Sequence, residues 1–280
     1  MLPLKMLKRF LRWLLGFVAV LIGALYISLV LLAVKSDSII FQPQPSSYTD
    51  ATLSAMLARS NPAGRVVHLR SGDETITAFY LPNPQARYTL LFSHGNAEDI
   101  GQVMYSLQPF YDAGFSIMAY EYRGYGTSSG KPSENGVYGD ANAAYDYVTQ
   151  ELHLPSNQII AMGRSLGSAA AIHLAATRPV AGLIVEAPFL SAFRVLTRVQ
   201  ILPWDKFNNA REIRKVHVPV LIVHGTADQV VPFWHGHRLY ELANQPKTFM
   251  PVENAGHNDV VLLAGGEYVR ALQSFAASLK

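Results

Sequence analysis

The 280-residue chain has a formal net charge of +3, from 23 basic and 20 acidic side chains. Five of the basic residues and none of the acidic ones fall within residues 1–35, which leaves the rest of the chain slightly acidic. Nucleic-acid binding is therefore not expected, because the excess positive charge is confined to the N-terminal flank. The chain has no cysteine, which excludes lipoprotein processing, and the length beyond residue 35 suits a single domain of ordinary size.

The first predicted element is an uncharged segment at residues 13–34, dominated by Leu, Val, Ile and Ala. At ~1.5 Å per residue, a helix of this length crosses the ~30 Å apolar core of a bilayer. The segment is too long for a cleavable signal peptide, and it lacks the polar face of a helix that lies on a membrane surface. Four basic residues precede it and only Lys35 follows closely. We therefore expect a single-pass anchor within residues 1–35, a cytoplasmic N-terminus, and a domain at residues 36–280 on the periplasmic, extracellular or lumenal side.

Beyond a proline-marked linker at residues 42–47 and a short amphipathic stretch at residues 51–59, apolar strands alternate with helical segments. This alternation is typical of an α/β domain with a mostly parallel sheet and helices on both faces. The first two strands are expected to form an antiparallel pair. Strands are predicted at residues 65–69, 75–81, 88–93, 115–120, 158–162, 181–186, 218–223 and 247–252. Helices are predicted at residues 98–112, 135–150, 166–177, 234–243 and 260–278.

A tight His-Gly loop, residues 94–97, follows the strand predicted at residues 88–93. A loop in this position can offer a backbone N–H group to a negatively charged oxygen. The N–H of Asn96 is our candidate for this donor, and Ala97 is one register away. His94 is interpreted as a packing residue rather than a catalytic one.

The most informative motif is Gly163-Arg164-Ser165-Leu166-Gly167, between an apolar strand and a segment of small, helix-favouring residues. A serine flanked by glycines at a strand-to-helix turn is held with its hydroxyl exposed above the sheet. The motif alone is a weak signal, but its position between a strand and a helix makes it much more specific. The sequence thus predicts Ser165 as the nucleophile of a hydrolase, with the N–H of Leu166 as the second donor of an oxyanion hole.

Segment 188–217 is rich in apolar side chains and is the one stretch that could form a lid. Two alternatives stay open: an ordinary helix and loop packed on the sheet, or a small apolar flap over Ser165 that would suit an acyl chain. Further candidates, Phe233 and Trp234, could line the same pocket or start a helix. The candidate substrate-binding residues are therefore Phe189, Phe193, Trp204, Phe233 and Trp234.

A serine nucleophile needs a base and an orienting acid, and the expected chain order is Ser, then Asp or Glu, then His. Asp228 follows the strand predicted at residues 218–223, and His257 follows the one at residues 247–252. Taken singly, Asp228 could be a solvated turn residue, and His257 could cap the last helix. The conjunction of three residues in this order, each after a strand, predicts a Ser165–Asp228–His257 triad.

Other polar residues are weaker candidates. The acids Asp205 and Glu253 are held in reserve, although neither directly follows a clear strand. Asp259 is expected to cap the last helix. The histidines of His235-Gly236-His237 point in different directions on a helix, so we expect no metal site, and no cofactor is implied.

Several motifs together resemble the α/β-hydrolase superfamily, and in particular its membrane-anchored branch that includes depalmitoylase-type and bud-emergence-type hydrolases. The resemblance covers the chain from about residue 39 to its end. The matching segments are residues 41–43, 92–97, 122–130, 163–168, 219–228 and 256–259. One departure is Glu121, where the branch more often has Asp. The resemblance implies an α/β-hydrolase fold and the nucleophile, acid and base roles for Ser165, Asp228 and His257, but it does not fix a substrate.

The sequence therefore predicts a membrane-anchored serine hydrolase that cleaves small-molecule or lipid carboxylic esters or thioesters through an acyl-enzyme on Ser165. A serine peptidase or amidase on the same triad is the alternative within enzymes. A membrane-tethered binding protein on a hydrolase fold that has lost its activity is the alternative outside them.

Overall fold

The computed structural model describes residues 3–60, 62–198 and 205–279. The chain divides into a first unit that ends at Phe41 and a second that begins at Gln42, slightly beyond the predicted boundary at residue 35. The first unit contains α1 (Leu4–Val34) and α2 (Ser36–Ile40). Within α1, Lys8–Leu31 has a mean hydropathy of 2.7 and is long and apolar enough to cross a membrane. A signal sequence near an N-terminus shares these properties, so the anchor stays a prediction.

The second unit is built on an eight-stranded sheet in the order β1-β2-β4-β3-β5-β6-β7-β8. The antiparallel pairs are β1 with β2 and β2 with β4, and the remaining neighbours are parallel. The strands are β1 (Arg65–Ser71), β2 (Glu74–Leu81), β3 (Thr89–Ser93), β4 (Ser116–Tyr120), β5 (Ile159–Arg164), β6 (Gly182–Glu186), β7 (Val220–Gly225) and β8 (Lys247–Val252). The predicted α/β class with a mostly parallel sheet is confirmed.

The helices largely follow the predicted pattern. They are α3 (Asp50–Leu57), α4 (Ile100–Asp112), α5 (Glu134–Asp146), α6 (Leu166–Thr177), α7 (Ala192–Thr197), α8 (Asn209–Glu212), α9 (Trp234–Leu242), α10 (Val260–Ala264) and α11 (Gly266–Ser278). The single helix predicted at residues 260–278 is wrong in one respect. Gly265 has a φ of +48°, a conformation that glycine adopts easily and a continuing α-helix does not, so it separates α10 from α11.

The strand order places a crevice at the carboxyl ends of the central strands. From β3 the chain continues to β4 on one side, and it later returns to β5 on the other side of β3. The loops after β3 and β5 therefore leave the sheet at a topological switch point, where open α/β sheets place their ligands. The strands β3, β4, β6 and β7 are buried along their whole lengths, as expected for strands covered on both faces. The loops at their carboxyl ends therefore start from the buried centre of the sheet.

Candidate active site

Ser165 occupies a strained turn between β5 and α6, with φ of 52° and ψ of −116°. A side chain at the flanking glycines would collide with the backbone. A Cβ at Gly163 would lie 2.0 Å from the carbonyl oxygen of Gly167, and one at Gly167 would lie 2.0 Å from that of Ser93. The two glycines therefore permit a turn in which helix and strands approach closely, and this turn matches the sequence prediction.

The structure brings the three residues of the predicted triad together. Ser165 Oγ lies 2.9 Å from His257 Nε2, and His257 Nδ1 lies 2.7 Å from Asp228 Oδ2. Both distances are within hydrogen-bonding range. The arrangement can move a proton from the serine hydroxyl to the imidazole while the carboxylate fixes the orientation of the ring.

The loop that carries His257 is closed by an acid. Asp259 Oδ1 accepts a hydrogen bond of 2.6 Å from the Gly256 N–H. Asp259 occupies the N-cap position of α10, as expected, but its side chain makes no capping hydrogen bond there. Its carboxylate holds the turn around His257 instead.

Asp228 is buried and its carboxylate has several donors. Oδ1 accepts the N–H groups of Val230 at 2.9 Å and Val231 at 2.8 Å. His224 Nε2 lies 3.4 Å from Asp228 Oδ2. Burial acts to raise the pKa of Asp228, but the hydrogen bonds from His224 and His257 outweigh it and hold that pKa well below its usual range. The carboxylate is therefore ionised at neutral pH and can orient the His257 ring.

His224 also contacts the Asp228 carboxylate, a role that the sequence analysis does not predict. It is fully buried at the end of β7, and its Nε2 also lies 2.9 Å from the Val231 carbonyl oxygen. The available signal was its position four residues before Asp228 at the same strand end. A histidine there reaches both the carboxylate and the loop that surrounds it.

The two predicted oxyanion donors belong to segments next to the serine, and their role stays a prediction. Leu166 is the first residue of α6, so its N–H has no partner within the helix. A Cβ at Gly95 would lie 3.6 Å from Ser165 Cβ, which places the loop after β3 directly beside the nucleophile. In that loop Asn96 Oδ1 accepts hydrogen bonds from the Gln42 N–H at 3.0 Å and the Tyr125 hydroxyl at 2.6 Å.

A buried ion pair supports the same loop. His94 Nε2 lies 3.0 Å from Glu121 Oε2, and both side chains are fully buried. Glu121 Oε1 also accepts hydrogen bonds from the Tyr48 hydroxyl and the Ile100 N–H, each 2.9 Å long. Burial acts to lower the pKa of His94, but the hydrogen bond and charge of Glu121 outweigh it and raise that pKa. Glu121 thus holds His94 in place, and the packing role of His94 stays a prediction.

Two of the predicted substrate-binding residues, Phe189 and Phe193, are buried. The Phe189 ring packs edge-on against Phe207, with centroids 6.4 Å apart. Trp204 lies outside the described residues. Both alternatives for segment 188–217, ordinary packing and an apolar flap, therefore stay open, and the binding role of Phe189 and Phe193 stays a prediction.

The other two candidates lie beside α9. Phe233 packs edge-on against His224, with centroids 5.7 Å apart. Trp234 is 38% exposed and stacks on His235 at 3.9 Å. It also borders a groove of about 490 Å³ whose described lining includes Leu190 and Arg194 but none of the three residues of the predicted triad. Their role in substrate binding likewise stays a prediction.

The reserve acids have other partners. Asp205 accepts hydrogen bonds from the Ser191 hydroxyl and, at 2.9 Å, from the Phe193 N–H, so it holds the start of α7. Glu253 Oε2 accepts a hydrogen bond of 3.5 Å from the Thr226 hydroxyl. Across residues 3–60, 62–198 and 205–279, no group of three or more His, Cys, Asp or Glu side chains could hold a metal ion.

A buried carboxyl lies behind the serine turn. The Ser165 N–H donates a hydrogen bond of 2.9 Å to the Glu186 carbonyl, and the Glu186 side chain is buried. Burial raises the pKa of this carboxyl, and the Arg164 charge and the Tyr268 hydroxyl offset the effect only in part.

Glu186→Gln is expected to increase stability by an amount that grows with pH. An unfolded Glu side chain loses its proton near pH ~4.3, whereas the folded protein keeps the Glu186 proton to higher pH, so wild-type stability falls as pH rises above that value. Urea unfolding of both proteins from pH ~4 to pH ~8 should show equal stability at the acid end and a widening gap above it. A gap that is the same at every pH would contradict the raised pKa.

A family profile described as "Serine aminopeptidase, S33" (Hydrolase_4) matches residues 84–208. The Caenorhabditis elegans alpha/beta hydrolase domain-containing protein aho-3 is 36% identical over 217 residues, which cover 75% of this chain and 64% of that protein. The human alpha/beta hydrolase domain-containing protein 17B is 38% identical over 213 residues, 74% of this chain and 72% of that protein. The chain thus spans about two thirds of the length of these relatives.

Solved structures with the same architecture include esterases. The Pyrococcus furiosus esterase Pf2001 aligns with a TM-score of 0.70 at 15% identity, over 85% of this chain and 96% of that one. An alpha-beta hydrolase from Vibrio vulnificus aligns with a TM-score of 0.65 at 20% identity, over 83% of this chain and 96% of that one. At these identities the structural matches show the fold alone.

Proposed function

The chain belongs to the α/β-hydrolase superfamily, and we propose that within it the chain is a membrane-anchored serine hydrolase that cleaves carboxylic esters or thioesters. The observation that carries this proposal is the hydrogen-bonded line from Ser165 through His257 to Asp228, with distances of 2.9 and 2.7 Å. Three residues far apart in the sequence meet in the order and geometry that nucleophilic catalysis by serine requires.

In the proposed mechanism, Ser165 Oγ attacks the carbonyl carbon while its proton passes to His257 Nε2. Asp228, held ionised by its donors, stabilises the imidazolium that forms. The carbonyl electron pair moves onto the oxygen, and the N–H groups of Leu166 and Asn96 donate hydrogen bonds to the oxyanion that forms. The intermediate collapses and expels the alcohol or thiol, which takes the proton from His257. Water then gives a proton to His257 and attacks the acyl carbon. The bond from that carbon to Ser165 Oγ breaks, Oγ takes the proton from His257, and the acid is released.

The membrane part of the proposal rests on α1. The candidate span is Lys8–Leu31, and its uncharged part, residues 13–34, is preceded by four basic residues. This asymmetry would place the N-terminus in the cytoplasm and the hydrolase on the other side. Substrates that carry an acyl chain in the same bilayer would then be within reach of the tethered domain.

Topology can be measured directly because the chain has no cysteine of its own. In intact cells, a membrane-impermeant maleimide is expected to label Lys280→Cys and to leave Lys5→Cys unlabelled until the cells are opened. The reverse pattern would contradict the proposed orientation, and release of the protein by alkaline carbonate would contradict the anchor.

A peptidase is the second candidate, because the matching family profile is described as a serine aminopeptidase. An aminopeptidase would bind the substrate's terminal ammonium group with a free carboxylate near the serine. Two carboxyl groups adjoin the serine turn, but Glu98 pairs with Arg164 and Glu186 is buried with a raised pKa. This arrangement favours an esterase or thioesterase over an aminopeptidase.

The test uses the purified full chain in detergent micelles, with nitrophenyl esters of increasing acyl length, an acyl thioester and an aminoacyl anilide. We expect Ser165-dependent hydrolysis of esters and the thioester, with the preferred chain length reporting the acyl pocket. Turnover of the anilide in place of the esters would favour the peptidase. Absence of Ser165-dependent turnover with every substrate would contradict the enzymatic proposal.

A further inference from the structure

An ion pair joins the loop after β3 to the residue immediately before Ser165. Arg164 NH2 lies 2.6 Å from Glu98 Oε2, and the Glu98 and Arg164 side chains are only 12% and 18% exposed. The other oxygen of the same carboxylate, Oε1, accepts a short hydrogen bond from the Gly95 N–H. One carboxylate therefore holds both the loop and the last residue of β5.

The sheet register explains why these groups meet. Parallel neighbours β3 and β5 pair so that Ser93 is opposite Gly163. The segments that follow them, from His94 and from Arg164, therefore start side by side at the switch point. An ion pair across this gap fixes the spacing between the loop and the serine turn.

The loop needs such support, since its backbone is strained. Ala97 has a φ of 57°, an uncommon conformation for a residue with a side chain. Strain of this kind persists where the surrounding structure over-determines it. The Glu98 carboxylate bridges Gly95 and Arg164, and the Asn96 side chain accepts hydrogen bonds from Gln42 and Tyr125.

Arg164 has a second acid nearby, but its direct ion pair is with Glu98. The second acid is Glu186, and burial raises the pKa of its carboxyl. Both members of the Arg164–Glu98 pair are largely shielded from solvent. A shielded pair with good geometry holds its position more firmly than one on the surface.

We propose that Glu98 and Arg164 are positioning residues that hold the Gly95–Ala97 loop against the Ser165 turn in the geometry that binds the oxyanion. The inference rests on the proposed serine hydrolase function and adds that oxyanion stabilisation depends on this ion pair. When the pair is broken, the loop can relax at Ala97, and its N–H groups move away from the developing negative charge. Substrate binding before the reaction is left nearly intact, because neither side chain is required to contact the substrate.

The experiment compares Glu98→Gln, Arg164→Gln and the double variant in the full-length protein, with rates expressed per active site. Complete loss of an oxyanion donor typically lowers the rate ~100–1000-fold, so partial displacement should lower kcat by roughly 10–100-fold with KM little changed. The double variant should lose no more than either single variant, because both break one interaction. Arg164→Lys, which keeps the cation, should recover part of the rate.

A boronic acid inhibitor shows whether a lower rate comes from displaced oxyanion donors or from a loss of folded protein. It forms an anionic tetrahedral adduct on a nucleophilic serine, so its binding also needs the oxyanion donors. Its inhibition constant should weaken in Glu98→Gln by the same factor as kcat/KM falls. Asp146→Asn, which removes the Arg178–Asp146 ion pair elsewhere in the domain, is the matched control and should change neither quantity.

Two results would overturn the inference: unchanged kcat and boronate affinity in Glu98→Gln, or losses in the two single variants that multiply in the double variant. Either result counts against the inference only if the wild type shows Ser165-dependent hydrolysis. If the wild type shows none, the proposed function has failed instead.

Discussion

Ser165→Ala is expected to lower kcat for ester hydrolysis by ~10⁴–10⁶-fold, the range typical of a lost nucleophile in a serine hydrolase. Alanine keeps the size of the Cβ but removes the oxygen that lies 2.9 Å from His257 Nε2. The strained backbone of the turn is set by its neighbours, so the fold should persist. The measurement is kcat and KM with nitrophenyl esters, together with the melting temperature of both proteins.

A second serine provides the matched control for that prediction. Ser168 lies one turn along α6, and its hydroxyl donates a hydrogen bond of 2.6 Å to the Ser165 carbonyl. Ser168→Ala removes a hydrogen bond worth about 0.5–1.5 kcal/mol of stability but no reacting atom, so it should keep most of the activity. Full activity in Ser165→Ala would show that the nucleophile is elsewhere.

Asp228→Asn is expected to lower kcat by ~10⁴-fold, as the equivalent change does in other triads. Its carboxylate oxygen Oδ1 already accepts the N–H groups of Val230 and Val231. The single oxygen of Asn would stay with those two donors, and its NH₂ group would then face His257 Nδ1. The ring would be forced to accept at Nδ1 and carry its proton on Nε2, where it cannot take the proton of Ser165.

The control for the acid is Asp205→Asn, because Asp205 is the other acid considered from the sequence. Its carboxylate holds the start of α7 through Ser191 and Phe193, so its loss should affect stability more than kcat. A large fall in kcat in Asp205→Asn with little change in Asp228→Asn would show that the acid is wrongly assigned.

Much of the fold could be predicted because its signals are local. The strands β3 to β7 are mainly apolar runs, and the glycines around Ser165 mark a turn that no side chain could enter. The break at Gly265 was missed although the sequence carries a signal for it, because Gly265-Gly266 is a dipeptide that marks turns. The positive φ of Gly265 in the structure shows that the helix ends there.

The supporting contacts could not be predicted, because they join residues that are distant in the sequence. Glu98 meets Arg164 only after β3 and β5 become neighbours. Glu121 likewise meets His94 only after β3 and β4 become neighbours. The sequence pattern reports that these side chains are polar and near strand ends. Which oxygen faces which donor depends on the packing of the finished sheet.

The most direct test of the central claim is to react the full-length protein with a fluorophosphonate and locate the adduct by mass spectrometry of the intact chain and its peptides. The account predicts one adduct per chain, on the peptide that contains Ser165, lost in Ser165→Ala and formed far more slowly in Asp228→Asn. An adduct on another serine, or ester hydrolysis that continues after Ser165 is fully labelled, would contradict it.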